Sequence, residues 1–185
     1  MGKVILGATM SLDGFINDRN GDLSPLYPDL EALRQTEELQ ESIKTTGAVI
    51  MGRRAYAMGD PVGFEGYEYQ VPIFVLTHKI PEKVATGENG KLSFNFVTDG
   101  IESAVKQAKA AAGDKDVTVV GGANTTQQLL KAGLFDEIHL SIMPILLGEG
   151  LSLFEHLGSD MIEFERISVR ESPATIDIKF RNLRG

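Results

Sequence analysis

The sequence predicts an α/β domain in which a βαβ body runs into a β-rich tail. Three observations carry that prediction. Short apolar runs that stop at glycine or polar turns alternate with segments of helical period. The last third of the chain holds strand-like runs only. No Pro/Gly/Ser-rich linker divides the 185 residues, so a single domain over 1–185 is expected at about 150 residues per domain. The apolar share of 42% and charged share of 24% are globular values that exclude a disordered tail, a fibre or a coiled coil.

Val4 to Met10 reads as a buried first strand entering the turn Ser11-Leu12-Asp13-Gly14. Asp29, followed by Leu30, Leu33, Leu39 and Ile43, opens one helix that ends near Gly47. Ala48 to Met51 is a second strand stopping at Gly52, with a short helix expected to follow. Pro72 to Thr77 is a third strand and Leu92 to Val97 a fourth. Asp99 is placed as the N-cap of the clearest helix, with Glu102 three residues on, apolar Ile101, Ala104, Val105, Ala108 and Ala112 on one face, and Gly113 at its end. Val117 to Val120 is a buried strand, after which Gly121-Gly122 opens a helix closing at Gly133. Glu137 to Met143, Met161 to Glu171 and Thr175 to Asn182 are strands, the last two an antiparallel pair around Ser172-Pro173. Residues 17–28 and 59–70 are expected to be surface loops long enough to line a site.

Charge and composition narrow the function. Eighteen Lys and Arg against 26 Asp and Glu give a net charge of −8, which repels nucleic acid at long range and leaves a small molecule as the better partner. With no Cys, disulfides, thiol nucleophiles and cysteine metal sites are excluded. The three histidines, His78, His139 and His156, have no metal-ligand spacing, so no metal is expected. Gly-x-Ser-x-Gly is absent, which removes the usual serine hydrolase signal. The start shows no leader pattern and no apolar run long enough for a membrane span, so a cytoplasmic protein without membrane contact is expected.

Two strand-to-helix turns could carry chemistry. In Val49-Ile50-Met51-Gly52-Arg53-Arg54-Ala55-Tyr56 a strand passes through glycine into a helix start bearing two arginines, which suits a phosphate clamp. A strand end with two solvated arginines is the competing reading. In Val119-Val120-Gly121-Gly122-Ala123-Asn124-Thr125-Thr126 two glycines allow close backbone approach to a pyrophosphate, although a tight turn alone could explain them. Neither stretch is a dinucleotide GxGxxG or a P-loop. Parallel strands would bring both turns to one edge, where a dinucleotide or phosphorylated ligand fits. His78-Lys79 past the third strand could add charge there or sit in a solvated turn. Asp13 and Glu149 are the acids beside glycine turns; turns recruit acids for their own hydrogen bonds as well.

Four motifs then occur in a telling order: Ala8-Thr9-Met10-Ser11-Leu12-Asp13-Gly14-Phe15-Ile16, Val49-Ile50-Met51-Gly52-Arg53-Arg54, Val119-Val120-Gly121-Gly122-Ala123, and Pro144-Ile145-Leu146-Leu147-Gly148-Glu149-Gly150-Leu151-Ser152-Leu153-Phe154. Together they resemble the dihydrofolate reductase-like superfamily, in the branch of the reductase domain of the bifunctional riboflavin-biosynthesis deaminase-reductase. The resemblance implies a three-layer α/β/α fold with a mixed, mostly parallel central sheet and an antiparallel C-terminal hairpin. It also implies NADPH as hydride donor, a pyrimidine- or pterin-like heterocyclic substrate and a homodimer.

Carried over by residue, Gly52, Arg53 and Arg54 lie by the adenosine phosphates, and Thr77, His78 and Lys79 flank the 2′-phosphate. Gly121, Gly122, Ala123, Asn124 and Thr125 cradle the pyrophosphate. Thr9 and Ile16 sit on the nicotinamide, with Asp13 near the reacting face as the candidate catalytic acid; solvent is the alternative proton source. Ala55 stands where dihydrofolate reductases usually carry threonine. The deaminase zinc motif is absent, so both riboflavin steps are not expected of this chain. The implied activity is reduction of an aminouracil ribosyl phosphate; a folate reductase variant and a non-catalytic nucleotide-binding module are the rivals.

Overall fold

The computed structural model describes residues 2–59, 63–159, 161–172 and 174–183. The chain starts with β1 (Val4–Ser11) and a short β2 (Phe15–Asp18), followed by a single 3-10 turn at Ser24–Leu26. Two helices come next, α1 (Leu30–Arg34) and α2 (Glu37–Thr45), where the sequence predicts one. Thr36 divides them. Its hydroxyl donates to Leu33 O at 2.8 Å and accepts from the Leu39 amide at 3.4 Å, closing one helix and capping the next. Asp29 caps α1 as expected, accepting from the Ala32 amide.

The body continues with β3 (Thr46–Gly52), α3 (Arg53–Met58), β4 (Pro72–Leu76) and β5 (Ser93–Val97). Next come α4 (Ile101–Ala112), β6 (Asp116–Val120) and α5 (Ala123–Ala132). Asp99 does not cap α4. Gly100 occupies that position with φ of 108° and no side-chain cap, so a backbone only glycine tolerates well turns the chain into the helix. The tail is β7 (Glu137–Met143), β8 (Gly150–Ser152), β9 (Phe164–Glu171) and β10 (Ile176–Asn182), with β9 starting three residues later than the sequence predicts. Pro173, placed in the hairpin turn by the sequence, lies outside the described residues.

Eight strands form one sheet in the order β5-β4-β3-β6-β1-β7-β10-β9. The first six run parallel, and β10 pairs antiparallel with both β7 and β9. This is the mixed, mostly parallel sheet with a C-terminal hairpin. β3 is buried on both faces, and successive side chains point to opposite sides, which divides two cores. Ala48 and Ile50 face the layer that contains α4 and α5, whereas Val49 and Met51 face a second cluster with Tyr56, Phe64, Tyr69, Ile73 and Val75, against which Leu39 and Ile43 of α2 pack. Helices on both faces make three layers.

Two expected surface loops are more structured than composition suggests. Within 17–28, Asp18 belongs to β2, which pairs antiparallel with β8 as a ribbon beside the main sheet. Within 59–70, residues 60–62 lie outside the described residues, but Phe64 is 3% exposed and Tyr69 8%. Phe64 stacks on Tyr56 at 5.7 Å and meets Phe94 edge-on at 4.9 Å. These rings are part of the second core, in one cluster with Met51, Ile73 and Val75 of β3 and β4. Phe64→Ala is therefore expected to cost about 3–5 kcal/mol, the range for a buried aromatic, rather than the few tenths expected of a surface loop. Denaturant unfolding of the two chains checks it.

Candidate functional site

Parallel pairing brings the carboxyl ends of β1, β3, β4 and β6 to one edge of the sheet. Since β3 and β6 are direct neighbours, with Ile50 opposite Val119, the Gly52 and Gly121-Gly122 bends leave the sheet side by side. A Cβ added at Gly52 would lie 2.7 Å from Thr125 Oγ1, and one at Gly122 would lie 3.7 Å from Gly52 Cα. Gly121 and Gly122 have φ of 72° and 89°, a region that side chains oppose. The methyl of Ala55 faces the same bend, 3.0 Å from where a Gly121 Cβ would be. Two chain reversals thus meet with backbone against backbone.

Several basic side chains at this edge make no ion pair among the described residues, although Asp18 and Glu149 line the same cleft as Arg54. The ion pairs of the described residues lie elsewhere, among them Lys3–Glu137, Arg34–Glu68, Arg170–Glu38, Lys179–Glu41 and Arg181–Glu165. Arg53, Arg54, Lys79 and Lys83 are exposed and enter no ion pair among the described residues. On a chain of net charge −8, four such cations at one edge form a local positive field that attracts an anion.

Two concavities open here. A cavity of 140 Å³ is lined by Arg53, Tyr56, Ala57, Val75, Thr77, Pro81, Lys83 and Phe96. An open cleft of 460 Å³ runs between Arg54, the 17–21 turn and Glu149 to Leu151. Arg53 and Arg54, adjacent in sequence, therefore serve different depressions. Thr77 reaches the first, but its hydroxyl is committed to the turn beyond β4, donating to Lys79 O at 2.8 Å. His78 and Lys79 are exposed beside that turn and do not line the cavity.

In the α5 turn, Ala123 and Thr125 are buried and Asn124 is exposed, its Oδ1 accepting from Gln128 Nε2 at 2.7 Å. Thr9 is half-buried near the end of β1, beside the Tyr27 hydroxyl, and Ile16 packs against the first core from β2. The structure brings Gly52, Gly121, Gly122 and Thr125 together in direct contact and ranges Arg53, Arg54 and Thr77 about them. Sequence reasoning missed Lys83 and Tyr56 in the cavity wall; the basic and aromatic residues just beyond each strand end were the only signal.

Asp13 has a different engagement. Ser11, fully buried, donates from Oγ to Asp13 Oδ1, while the Leu147 and Gly148 amides donate to the two carboxylate oxygens at 3.2 and 2.8 Å. The Leu12 amide bonds Ile145 O and the Leu153 amide bonds Gly14 O. The Ser-Leu-Asp-Gly turn and the Pro144–Leu153 stretch are thereby stitched into one unit. The Ser11 hydroxyl, together with the Gly148 and Leu147 amides, holds the Asp13 carboxyl below the usual carboxylate range, so it is an ionised acceptor at neutral pH.

Fold and edge together define a dihydrofolate reductase-like α/β protein. The sequence matches the profile of the RibD C-terminal domain over residues 2–176, and the chain belongs to that family. It is 27% identical over 158 residues to the "Uncharacterized protein YyaP" of Bacillus subtilis strain 168, covering 82% of this chain and 80% of the relative. The crystal structure of a "Putative riboflavin biosynthesis protein" from Shewanella sp. PV-4 superposes with a TM-score of 0.79 at 25% identity, over 97% of this chain and 98% of that one. The deaminase/5-amino-6-(5-phosphoribosylamino)uracil reductase of Thermotoga maritima shares the fold, with a TM-score of 0.69 at 18% identity, over 98% of this chain and 56% of its own. Membership places the chain among riboflavin-reductase-like oxidoreductases. Among the described residues, no helix is long and apolar enough to cross a membrane.

The Asp13 bonds have a readable consequence. A carboxyl whose pKa is lowered by folding stabilises the turn above its unfolded value of 3.8, and that contribution disappears as pH falls through the lower folded value. Protection of the Leu147 and Gly148 amides, measured against their intrinsic exchange rate at each pH, is expected to hold at neutral pH and to fall only below pH 3.8. Asp13→Asn should quicken exchange of those two amides at neutral pH while leaving the β3–β6 amides protected.

Proposed function

We propose that the chain is an NADPH-dependent reductase acting on a pyrimidine- or pterin-like heterocycle, with aminouracil ribosyl phosphate as the leading substrate. The observation that carries this reading is the pair of glycine bends packed against each other, with Arg53 and Arg54 beside them and in no ion pair among the described residues. The residues fit the cofactor in their chemistry: Arg53 and Arg54 bring cationic side chains to the Gly52 bend, and the α5 start adds its positive dipole end. Asn124 and Thr125 offer polar side chains in that first turn. The same family resemblance proposes a homodimer.

NADPH held there supplies a hydride from its nicotinamide ring. Arg53 and Lys83, which both line the small cavity, provide the charge that distinguishes a 2′-phosphate from a 2′-hydroxyl, with His78 and Lys79 in the neighbouring turn. Thr9 and Ile16 present the β1 edge on which the nicotinamide would rest. The ends of the β2–β8 ribbon and the 17–21 turn wall the open cleft at Arg54 and would shield a bound ring on that side from water. Asp13 fits a positioning role: as an ionised acceptor of three hydrogen bonds it fixes the ribbon at the cleft, which leaves solvent as the proton source.

Two measurements test this reading. Fluorescence titration should show NADPH binding at least tenfold more tightly than NADH, because a charge-assisted phosphate contact contributes about 1.5–3 kcal/mol. Arg53→Ala and Lys83→Ala should each remove most of that preference, and equal affinity of the wild-type chain for both nucleotides would overturn the clamp. Separately, NADPH oxidation should depend on added aminouracil ribosyl phosphate. Turnover of dihydrofolate instead, blocked by antifolates, would point to the folate variant. Tight NADPH binding without oxidation across aminopyrimidines, pterins and quinones would point to a non-catalytic module.

A further inference from the structure

Tyr67 carries a hydroxyl that the fold itself does not use. Among the described residues it is the one buried side-chain polar atom with no hydrogen-bond partner. A buried donor left unpaired is costly, so each instance in a folded protein calls for an explanation. Loose packing does not supply one. The Tyr67 ring meets Phe64 nearly edge-on, with centroids 5.3 Å apart, and Tyr69 at 5.8 Å. The same segment is pinned to the helices over the second core, through Tyr69 to Ser42 of α2 at 2.9 Å and through Glu68 to Arg34 of α1 at 3.1 Å.

The other three phenols of the chain are accounted for. Tyr69 has Ser42, Tyr56 accepts from the Ala85 amide, and Tyr27 lies against the Thr9 side chain. Tyr27 also stands near Tyr67 and Tyr69, which links this cluster to the β1 edge. Burial first, then the neighbouring Tyr69, Glu68 and Tyr27, push the Tyr67 phenol up, so it remains a neutral donor throughout the physiological range.

We propose that Tyr67 is a specificity-determining residue whose hydroxyl donates to a carbonyl oxygen or bare ring nitrogen on the polar edge of the heterocycle to be reduced. This rests on the reductase reading above and adds a recognition group to it. The hydroxyl is covered, so an entering acceptor displaces a neighbour, and Tyr27 is the neighbour on the Thr9 side. A ring that presents only C–H at that edge leaves the hydroxyl unpaired and is rejected. The unpaired donor thus lowers the stability of the fold in return for discrimination on binding.

The test compares the full Tyr67→Phe chain with wild type by thermal unfolding, NADPH affinity, and KM and kcat for aminouracil ribosyl phosphate. The variant is expected to unfold at no lower temperature, to bind NADPH equally, and to show a KM raised about five- to tenfold with kcat nearly unchanged. An unchanged KM overturns the proposal. So does a lower unfolding temperature, which would mean that the hydroxyl has a structural partner such as a buried water. If the wild-type chain does not turn over the aminouracil, the pathway reading fails on its own, and calorimetric binding of that nucleotide and of a pterin decides Tyr67. Weaker binding of either ring to Tyr67→Phe upholds the assignment; equal binding, or no binding of either ring to wild type, overturns it.

Discussion

The parallel pairing of β3 with β6 is the constraint on which the rest of the site depends. A one-residue slip in that register would reverse which side chains face each core, and it would separate the Gly52 bend from Gly121-Gly122. Contact between the bends leaves no room for side chains: a Cβ at Gly52 would be 2.7 Å from Thr125 Oγ1. The register is held on the buried side by Thr46 and Thr118, whose hydroxyls meet at 2.6 Å across the two strands. A polar pair inside an apolar sheet is satisfied only in one alignment, which makes it a pin as well as a bond.

The second organising element is the lock between the early turn and the late glycine stretch. Asp13 is separated from Gly148 by 135 positions, yet its carboxylate joins their backbones directly. Asn17 repeats the device, its Oδ1 accepting from the Leu151 amide at 2.9 Å. Gln127 of α5 adds a third tie, donating to Ser152 O and Leu153 O at 3.3 Å each. The ribbon at the cleft is thus fastened to the first strand and to the helix beginning at the Gly122 bend, so the two halves of the site are coupled through side chains rather than through a shared core.

Much of the sheet was legible because its strands are short apolar runs ended by glycine, and the two glycine turns declared themselves by residue type. Three features were hidden for physical reasons. The break at Thr36 lies within a continuing helical period, and only its capping hydroxyl, a local hydrogen bond, divides the segment. The β2–β8 pair consists of four- and three-residue strands with a register shift, too short for alternation to show. Phe64 and Tyr69 sit in a glycine-rich stretch whose composition signals exposure, but burial is decided by the apolar cluster with Met51, Ile73 and Val75 that they join. At the site, the glycines and arginines were visible by motif; Lys83 and Tyr67 were not, since each acts through a fold-level neighbour distant in sequence.

The aromatic cluster has an optical corollary. The chain contains no tryptophan and only four tyrosines; Phe64 joins Tyr56 to Tyr67, and Tyr67 meets Tyr69, by ring contacts of 5.3–5.8 Å, with Tyr27 close by. The tyrosine emission therefore originates from this one cluster. A molecule settling against that cluster alters the whole signal, whereas events at the β9–β10 hairpin leave it dark, so the protein carries its own positional reporter.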